Sequence, residues 1–222
     1  LSREGIHLMK NYCRNNSVNW EECGKIVVAT NDNELSRLEE LYKRGQKNNL
    51  IGLKMLNAKE VNKIEPYVSA KAGILVPEES IVNYKEVARK YQEEINSMGG
   101  EIKLSSKVIK INHLNNYEQI ILDNGDTVEG QKIISTAGLY SDKVTKMLGI
   151  DIESKQTIPF RGEYYFLKPA FHYLVKNLVY PVPNPNLPFL GVHFTRMING
   201  GIEAGPNAVL AMAREGYKWT NI

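Results

Sequence analysis

The first third of the chain alternates between helical and extended hydrophobic patterns. Residues 1–16 place apolar side chains at helical spacing, and the apolar run at 25–29 predicts a strand. A second helix is predicted after the capping residue Asn31, and a third begins at Asn57, where Glu60 completes a capping-box pattern. Helices and strands therefore alternate from the start of the chain.

The middle of the chain carries its clearest helix and a predicted hairpin. Apolar residues recur at helical spacing after Asn83, which caps this helix, and Gly99-Gly100 ends it. Three strands are predicted next, over 101–113, 118–122 and 127–135. The turn Asp123-Asn124-Gly125 joins the last two strands, and Ser141 caps a short helix after the turn Thr136-Ala137-Gly138.

The last third favours antiparallel sheet. Strand patterns cover 160–167 and 189–197, a proline-rich loop occupies 181–185 between them, and Gly200-Gly201 forms a turn. Because helices and hairpins are mixed along the chain, we predict an α+β fold with one interrupted domain.

Length, composition and charge narrow the class of protein. With 222 residues and 42% hydrophobic content the chain can bury a core, which excludes a disordered protein. The net charge of +3 comes from lysines scattered among glutamates, so nucleic-acid binding has no support. We find no apolar run long enough for a transmembrane helix and no signal-peptide layout, and we expect a cytoplasmic protein. Because the chain starts at Leu1 and stops at Ile222 after an apolar stretch, we expect a fragment.

Motifs for metals and complete nucleotide sites are missing. Cys13 and Cys23 lack the spacing of a zinc site or a redox pair, and we expect reduced thiols. The four histidines are dispersed without metal-ligand spacing, so no metal is predicted. Neither the glycine pattern of a dinucleotide-binding turn nor that of a P-loop occurs, which argues against a complete dinucleotide site in the chain.

Polar groups concentrate on two predicted strands of the last third. Alternation along one of them puts Gly191, His193 and Thr195 on one face and Val192 and Phe194 on the other. An imidazole beside a hydroxyl suits a base that takes the hydroxyl proton of a small substrate. The alternative is a structural histidine, which is the more common role for a lone histidine on a strand.

The other strand carries Arg161, which shares a face with Glu163 and Tyr165 by alternation. Its guanidinium could hold a carboxylate in a two-point contact, or it could form a surface ion pair with Glu163. A short motif at 205–207 reads either as a turn that ends a strand or as part of the site, and spacing does not separate the two.

Two further positions suggest a nucleotide contact. Val108 lies inside a predicted strand, and the turn Thr136-Ala137-Gly138 leads from a predicted strand into a helix. Small-residue turns at the carboxyl ends of strands let a nucleotide approach the backbone. The alternative is an ordinary strand interior and a tight helix entry.

Five stretches of the sequence resemble the L-2-hydroxyglutarate oxidase/dehydrogenase family, within the flavin-dependent group that is similar to D-amino-acid oxidase. They are EECGKIVVAT at 21–30, RGEYY at 161–165, YPVP at 180–183, PFLGVHFT at 188–195 and GPNAVL at 205–210. The last three are far more specific than a three-residue pattern.

The resemblance implies an FAD enzyme whose substrate domain is a mixed, largely antiparallel sheet with helices. It also implies a partial FAD-binding, Rossmann-like α/β portion that lacks its N-terminal βαβ unit. By this analogy 1–100 holds the substrate or cap region with a passage back toward the FAD domain, 101–150 the partial FAD-binding portion and 151–222 the substrate-binding sheet. The adenosine side of FAD would contact Val108, Thr136, Ala137 and Gly138, and this chain would hold FAD weakly or not at all.

The reaction implied is the oxidation of an L-2-hydroxyacid to a 2-oxoacid by hydride transfer to the flavin, with His193 as the base. A five-carbon diacid has two carboxylates, for which the resemblance suggests Arg161 and Arg196, although alternation points Arg196 away from His193. Hydrogen-bond donors to the substrate would be Tyr164, Tyr165 and Thr195. We expect the His193 imidazole and the Arg161 guanidinium to converge on one pocket.

Two alternatives stay open beside this interpretation. Another flavin oxidoreductase of the same group, acting on glycine, sarcosine or glycerol 3-phosphate, would share the fold. A non-catalytic binding or interaction domain would purify without colour. The electron acceptor, oxygen or a quinone, and peripheral contact with the inner membrane are not determined by the sequence.

Overall fold

The computed structural model describes residues 1–153, 155–187, 189–218 and 220–221. Pro188, the first residue of the PFLGVHFT stretch, lies outside the described residues. The chain divides into two units by its internal contacts. The first unit comprises Leu1–Glu94 with Gly162–Ala208, and the second comprises Ile95–Arg161 with Val209–Ile222. The division of function among 1–100, 101–150 and 151–222 stays a prediction.

The helices follow the predicted pattern closely. The described residues contain α1 (Ser2–Asn15), α2 (Leu35–Lys47), α3 (Ala58–Ile64), α4 (Tyr84–Ser97), α5 (Ser141–Met147) and 3-10 turns at Asp32–Glu34, Gly138–Tyr140 and Pro169–Leu174. The capping box between Asn57 and Glu60 is present at α3, as predicted. Asn31 makes no side-chain cap, and the Glu34 carboxylate instead accepts the Thr30 backbone N–H at 2.7 Å. Ser141 is not a cap but the first residue of α5.

Twelve strands of the described chain form three sheets. They are β1 (Trp20–Glu21), β2 (Lys25–Ala29), β3 (Lys54–Asn57), β4 (Ala72–Val76), β5 (Ile81–Val82), β6 (Val108–His113), β7 (Glu118–Leu122), β8 (Thr127–Gly130), β9 (Phe160–Phe166), β10 (Leu178–Pro181), β11 (His193–Arg196) and β12 (Ile202–Leu210). The seven-stranded sheet has the order β3-β4-β2-β10-β11-β12-β9. Its β2 and β10 run parallel, whereas β3–β4, β4–β2, β10–β11 and β11–β12 are antiparallel. The predicted α+β fold with a mixed, largely antiparallel sheet is confirmed.

The seven-stranded sheet buries apolar side chains on both faces. One face packs Ile26, Val179 and Ile202 against Val61 of α3. The other face packs Ala29, Ile74, Val76 and Val182 against Leu38 of α2. Each fully buried aliphatic side chain stabilises the fold by roughly 1.5–3 kcal/mol. Because α2 covers only part of its face, the remaining positions on that face of β10 and β11 are open to carry polar groups.

The second unit has its own small sheet, with the order β6-β7-β8. Beside it, the buried Asp142 of α5 accepts the Arg214 guanidinium at 2.5 Å and the backbone N–H groups of Lys143 and Thr157. The hydrogen bond from Arg214 is the main cause that lowers the pKa of the Asp142 carboxyl, and burial opposes it. This pair therefore stays ionised and ties α5 to the segment after β12.

Several predicted strand boundaries were wrong. The strand expected over 101–113 begins only at Val108, and the one expected over 127–135 ends at Gly130. Residues 131–137, expected to form a strand, turn and helix entry, pair with no described strand, and Ile134 is 90% exposed. A strand needs a neighbour for its backbone N–H and C=O groups, and the described chain supplies none there.

In the last third, the strand expected over 189–197 covers only His193–Arg196. The motif at 205–207 is not a turn, because it lies inside β12. Sequence patterns also missed β3 and β10, which are only four residues long. Short strands carry too few alternating positions to be recognised without their partners.

Candidate functional site

A row of residues crosses the open part of one sheet face in the first unit. It consists of Tyr164 on β9, Gly205 on β12, His193 on β11 and Tyr180 on β10, and is termed the histidine row. His193 pairs directly with Gly205 in the sheet register. The rings of His193 and Tyr180 stack with centroids 4.1 Å apart and planes at 19°. Directly opposed residues of neighbouring strands point to the same face, so the row is one continuous surface.

Gly205 is the narrow point of the histidine row. A Cβ atom placed on Gly205 would lie 2.7 Å from Cδ1 of Tyr164 and 2.8 Å from the Glu163 carbonyl oxygen. The Tyr164 ring therefore lies directly over this glycine. Since no larger residue leaves room for the ring, the sequence GPNAVL keeps a glycine inside a strand, where glycine is otherwise unfavourable.

We expect Gly205→Ala to lower the free energy of unfolding by about 1–3 kcal/mol, because an added methyl group overpacks this position. The Tyr164 ring could rotate away, but the Glu163 carbonyl is backbone and cannot. Urea unfolding of the full-length protein measures the loss. Gly5→Ala is the matched control: no atom lies within 4 Å of its added Cβ, and alanine in a helix should be neutral or stabilising. Equal midpoints for wild type and Gly205→Ala would contradict the tight packing.

The hydrogen bond of His193 determines which of its nitrogens can act as a base. Nδ1 lies 3.1 Å from the Gly191 carbonyl oxygen. Because a carbonyl oxygen only accepts, Nδ1 must carry the hydrogen, and in the neutral ring Nε2 is the nitrogen with the lone pair. The half-buried imidazole is therefore held with a proton acceptor available at Nε2.

Tyr180 connects the imidazole to a pair of charged residues. Burial is the main cause that raises the pKa of the Tyr180 phenol, a hydrogen bond with Thr195 lowers it, and the charge of Glu79 raises it. The Lys25 ammonium lies 5.3 Å from the Tyr180 ring centroid and 2.5 Å from the Glu79 carboxylate. A neutral tyrosine ring thus separates a histidine from a lysine on the same face.

The two predicted carboxylate-binding arginines have other partners. Arg196 forms an ion pair with Glu21 and donates to the Lys176 carbonyl at 3.4 Å. It pairs in register with Ile202, which packs in the core on the side of α3, so it points away from His193, as alternation predicts. Arg161 belongs to the second unit, where it donates to the Gly216 carbonyl at 2.7 Å. Convergence of Arg161 with His193 stays a prediction.

The predicted hydrogen-bond donors lie in different surroundings. Tyr164 is a member of the histidine row, and Thr195 hydrogen-bonds Tyr180 beside it. Tyr165 on β9 is 72% exposed. The structure therefore brings Tyr164 and Thr195 close to His193, whereas the role of Tyr165 rests on the sequence alone.

A cavity in the second unit is lined by two of the residues predicted to contact a nucleotide. It has a volume of about 630 Å³ and is lined by Lys107, Val108, Ala137, Tyr140, Lys143, Val144 and Met147. Val108 and Ala137 thus meet at one cavity, and Thr136 and Gly138 flank Ala137 in the chain. Apolar walls suit the base and ribose of a nucleotide, and ammonium groups suit its phosphates. The residues present therefore fit the nucleotide part of FAD.

His113 holds two walls of this cavity together. Its Nδ1 lies 2.6 Å from the Glu118 carboxylate and its Nε2 lies 3.0 Å from the Leu148 carbonyl, just after α5. Both neighbours only accept, so an imidazolium satisfies both contacts. The hydrogen bond to Glu118 is the main cause that raises the pKa of His113, and the bond to Leu148 adds to it.

Sequence patterns missed several residues that line these two sites. Lys25 and Tyr180 lie within the EECGKIVVAT and YPVP stretches but gave no chemical signal of their own. Lys107 and Lys143 belong to a cavity that only the packing of β6 against α5 creates. A basic residue at the first position of a buried strand, such as Lys25, was the one signal available.

The described residues form neither a membrane-spanning helix nor a metal-binding cluster. None of its helices is long and apolar enough to cross a membrane. Within the same residues, no group of three or more histidine, cysteine, aspartate or glutamate side chains could hold a metal ion.

The sequence matches a known family and several curated proteins. Residues 1–220 match the family DAO, described as FAD dependent oxidoreductase. L-2-hydroxyglutarate dehydrogenase of Indibacter alkaliphilus is 47% identical over 99% of this chain and 55% of that protein. The protein of the same name from Escherichia coli K12 is 41% identical over 96% of this chain and 50% of that protein. The human mitochondrial L-2-hydroxyglutarate dehydrogenase is 36% identical over 98% of this chain and 49% of that protein. The chain therefore spans about half the length of the curated relatives it matches.

Solved structures share the fold at lower identity. L-alpha-glycerophosphate oxidase from Mycoplasma pneumoniae, solved with FAD bound, has a TM-score of 0.79 at 22% identity, covering 95% of this chain and 57% of that one. L-proline dehydrogenase from P. horikoshii has a TM-score of 0.77 at 15% identity, covering 93% and 55%. At these sequence identities the similarity shows a shared fold and nothing further.

Proposed function

The chain belongs to the family of FAD dependent oxidoreductases, and on this premise we propose that it supplies the substrate-facing half of an enzyme that oxidises L-2-hydroxyglutarate to 2-oxoglutarate. The choice of substrate is supported by curated relatives of that activity, which are 36% to 47% identical over nearly the whole chain. One observation carries the chemistry: His193 presents Nε2 as a proton acceptor on an open, half-buried sheet face.

FAD is the cofactor of this proposal. When bound, it would supply an acceptor for the hydrogen of substrate C2, which leaves as a hydride. Val108 and Ala137, with Thr136 and Gly138 beside them, would contact its adenosine side, and Lys107 and Lys143 supply positive charge there. We expect this chain by itself to hold FAD weakly, because the glycine-rich turn that binds a pyrophosphate does not occur in its sequence.

His193 removes the proton of the substrate hydroxyl through Nε2. The Gly191 carbonyl fixes the tautomer, and the stacked Tyr180 ring fixes the plane of the imidazole. Once protonated, the imidazolium lies against the electron-rich face of Tyr180, which stabilises a positive charge. Tyr164 and Thr195, which lie near His193, are proposed to bind substrate there. For Tyr165, Arg161 and Arg196 the same role is proposed from the resemblance alone.

The remaining parts of the proposal concern partners and location. The substrate is a small 2-hydroxyacid, and the electron acceptor is oxygen or a quinone. We place the protein in the cytoplasm and retain peripheral contact with the inner membrane as part of the proposal.

Anaerobic reduction of the flavin tests the function directly. In the full-length protein, L-2-hydroxyglutarate should bleach the absorption of oxidised flavin, and the D enantiomer should not. Glycine, sarcosine and glycerol 3-phosphate are the competing substrates, because oxidases of this kind share the fold. Reduction by one of these and not by L-2-hydroxyglutarate would overturn the proposal, and a protein that purifies without flavin would favour a binding domain.

A further inference from the structure

The face that carries His193 needs a cation for a substrate with two carboxylates. Arg196 lies on the other face and is already paired with Glu21. Arg161 lies in the second unit, where it donates to Gly216. Within the first unit, Lys25 is a cation that shares a sheet face with His193.

The sheet register places Lys25 on this face. Lys25 pairs with Leu178 of β10 in the parallel ladder, and Val179 pairs with Phe194 in the antiparallel one. One position further along each antiparallel strand, Leu178 is opposite Thr195 and Tyr180 is opposite His193. Lys25 therefore lies one row away from His193 and across β10 from it, and the contact of its ammonium with the Tyr180 ring agrees with this placement.

The distances on this face suit a short dicarboxylate. The Tyr180 ring centroid lies 4.1 Å from the imidazole centroid and 5.3 Å from the Lys25 Nζ. In an extended five-carbon 2-hydroxy diacid, the hydroxyl oxygen and the distal carboxylate are separated by roughly 5–6 Å, from bond lengths of about 1.5 Å. A diacid that lies across the edge of the tyrosine ring can thus reach both side chains.

Lys25 also opens onto space that can receive the distal end of a substrate. A cavity of about 340 Å³ on this face lies between the sheet and α2. Its lining residues include Lys25, Val27, Leu41, Arg44, Ile74 and Glu79. The cavity thus combines apolar walls for methylene groups with the two cations Lys25 and Arg44 and the carboxylate of Glu79.

From this placement we propose that Lys25 binds the carboxylate farther from the hydroxyl of an L-2-hydroxy diacid, and so selects dicarboxylates over monocarboxylic 2-hydroxyacids. The proposal rests on the proposed oxidation at His193. An ammonium has three N–H donors, and the contact with Glu79 uses one of them. The Lys25 side chain is 23% exposed, so an ion pair with a substrate carboxylate is shielded from water more than a surface pair would be.

Substrate preference in the full-length flavoprotein tests this role. L-2-hydroxyglutarate is compared with L-2-hydroxypentanoate, which has the same five carbons but a methyl group in place of the distal carboxylate. Lys25→Met should lower kcat/KM for the diacid about ten- to hundred-fold, through KM, because a charge-assisted hydrogen bond is lost. For the monoacid the change should stay within about threefold, since that substrate never made the contact. Lys25→Arg keeps a cation and should retain most of the preference.

Binding of glutarate provides a readout that does not depend on turnover. Glutarate has both carboxylates and no hydroxyl. Calorimetry should show that its affinity is about ten- to hundred-fold weaker in Lys25→Met, and equally so in a second variant, Lys25→Gln. Lys71→Met is the matched control, because it removes a lysine whose ammonium pairs with Asp32 at 3.3 Å on a side chain that is 55% exposed. It should change neither the preference nor the glutarate affinity.

The outcomes separate this proposal from the proposed function. Equal losses for diacid and monoacid, or unchanged glutarate affinity in both Lys25 variants, would show that Lys25 forms only a structural pair with Glu79. The wild-type protein could instead bind glutarate through Lys25 and fail to oxidise L-2-hydroxyglutarate. This result would contradict the proposed function and support the dicarboxylate site.

Discussion

His193→Ala in the full-length flavoprotein should lower kcat by about 10²- to 10⁴-fold, the range that general-base catalysis contributes. Substrate affinity should change far less, because the variant removes a group whose interaction strengthens only as the hydroxyl proton leaves. Because the Gly191 carbonyl keeps the hydrogen on Nδ1 of the native ring, the proton acceptor that the variant removes is Nε2. Single-turnover flavin reduction measures the rate, and titration of the oxidised enzyme with glutarate measures affinity.

His172 provides the matched control for this variant. Its Nε2 lies 3.0 Å from the Leu167 carbonyl, so it too is a histidine of the first unit bonded to a backbone oxygen. His172→Ala removes an imidazole and a similar hydrogen bond but no member of the histidine row. If the two variants slow flavin reduction equally, or if His193→Ala turns over at the wild-type rate, then His193 has a structural role.

Elements with local signals could be predicted from the sequence. The capping box at Asn57 and Glu60 predicts α3, and the short apolar run with two valines and an isoleucine predicts β2. The glycine pair after α4 provides the hydrogen bond from Gly100 N–H to the Ile95 carbonyl that ends this helix. In each case the residues that determine the element lie within it or next to it, so no knowledge of the fold is required.

The histidine row could not be predicted, because it exists only through pairing between strands distant in sequence. Tyr180 and His193 come together through the register of β10 against β11, and Gly205 joins them from β12. Register depends on which side chains are buried across the whole sheet, and no short window contains that information. The motif at 205–207 shows the consequence: glycine and proline suggest a turn locally, whereas the Tyr164 ring requires glycine inside a strand.

The sequence did not single out Lys25 for a related reason. Arginine was preferred for carboxylates because its guanidinium makes two-point contacts. That same property lets Arg161 and Arg196 hold partners of the protein itself, the Gly216 carbonyl and Glu21. Chemical suitability alone therefore ranked the arginines above Lys25, and only the sheet register indicates that Lys25 shares a face with His193.

A second large effect is expected at Glu65, the fully buried carboxylate after α3. Its oxygens accept the backbone N–H groups of Lys176 and Asn177, the latter at 2.6 Å, and the Asn177 side-chain amide at 2.7 Å. Oε1 accepts from both Asn177 groups, whereas Oε2 accepts only the Lys176 N–H, so Glu65→Gln can keep its oxygen toward Asn177 and then turns an NH₂ group toward the Lys176 N–H. Because two buried donors then face each other, the free energy of unfolding should fall by about 1–3 kcal/mol, and Glu65→Ala, which removes every acceptor, should cost more. Urea unfolding of the full-length protein measures both.

Stability and turnover should fall together in the Glu65 variants, because the segment that Glu65 holds leads directly into β10 and Tyr180. A displaced Tyr180 would no longer keep the imidazole plane of His193, so kcat should drop in the protein that remains folded. Glu39→Gln, on an exposed position of α2, loses the same charge and should alter neither property. Equal unfolding midpoints for Glu65→Gln and Glu39→Gln would contradict this prediction. The hydrogen bonds of Glu65 would then not stabilise the protein, and β10 would be held by its apolar contacts alone.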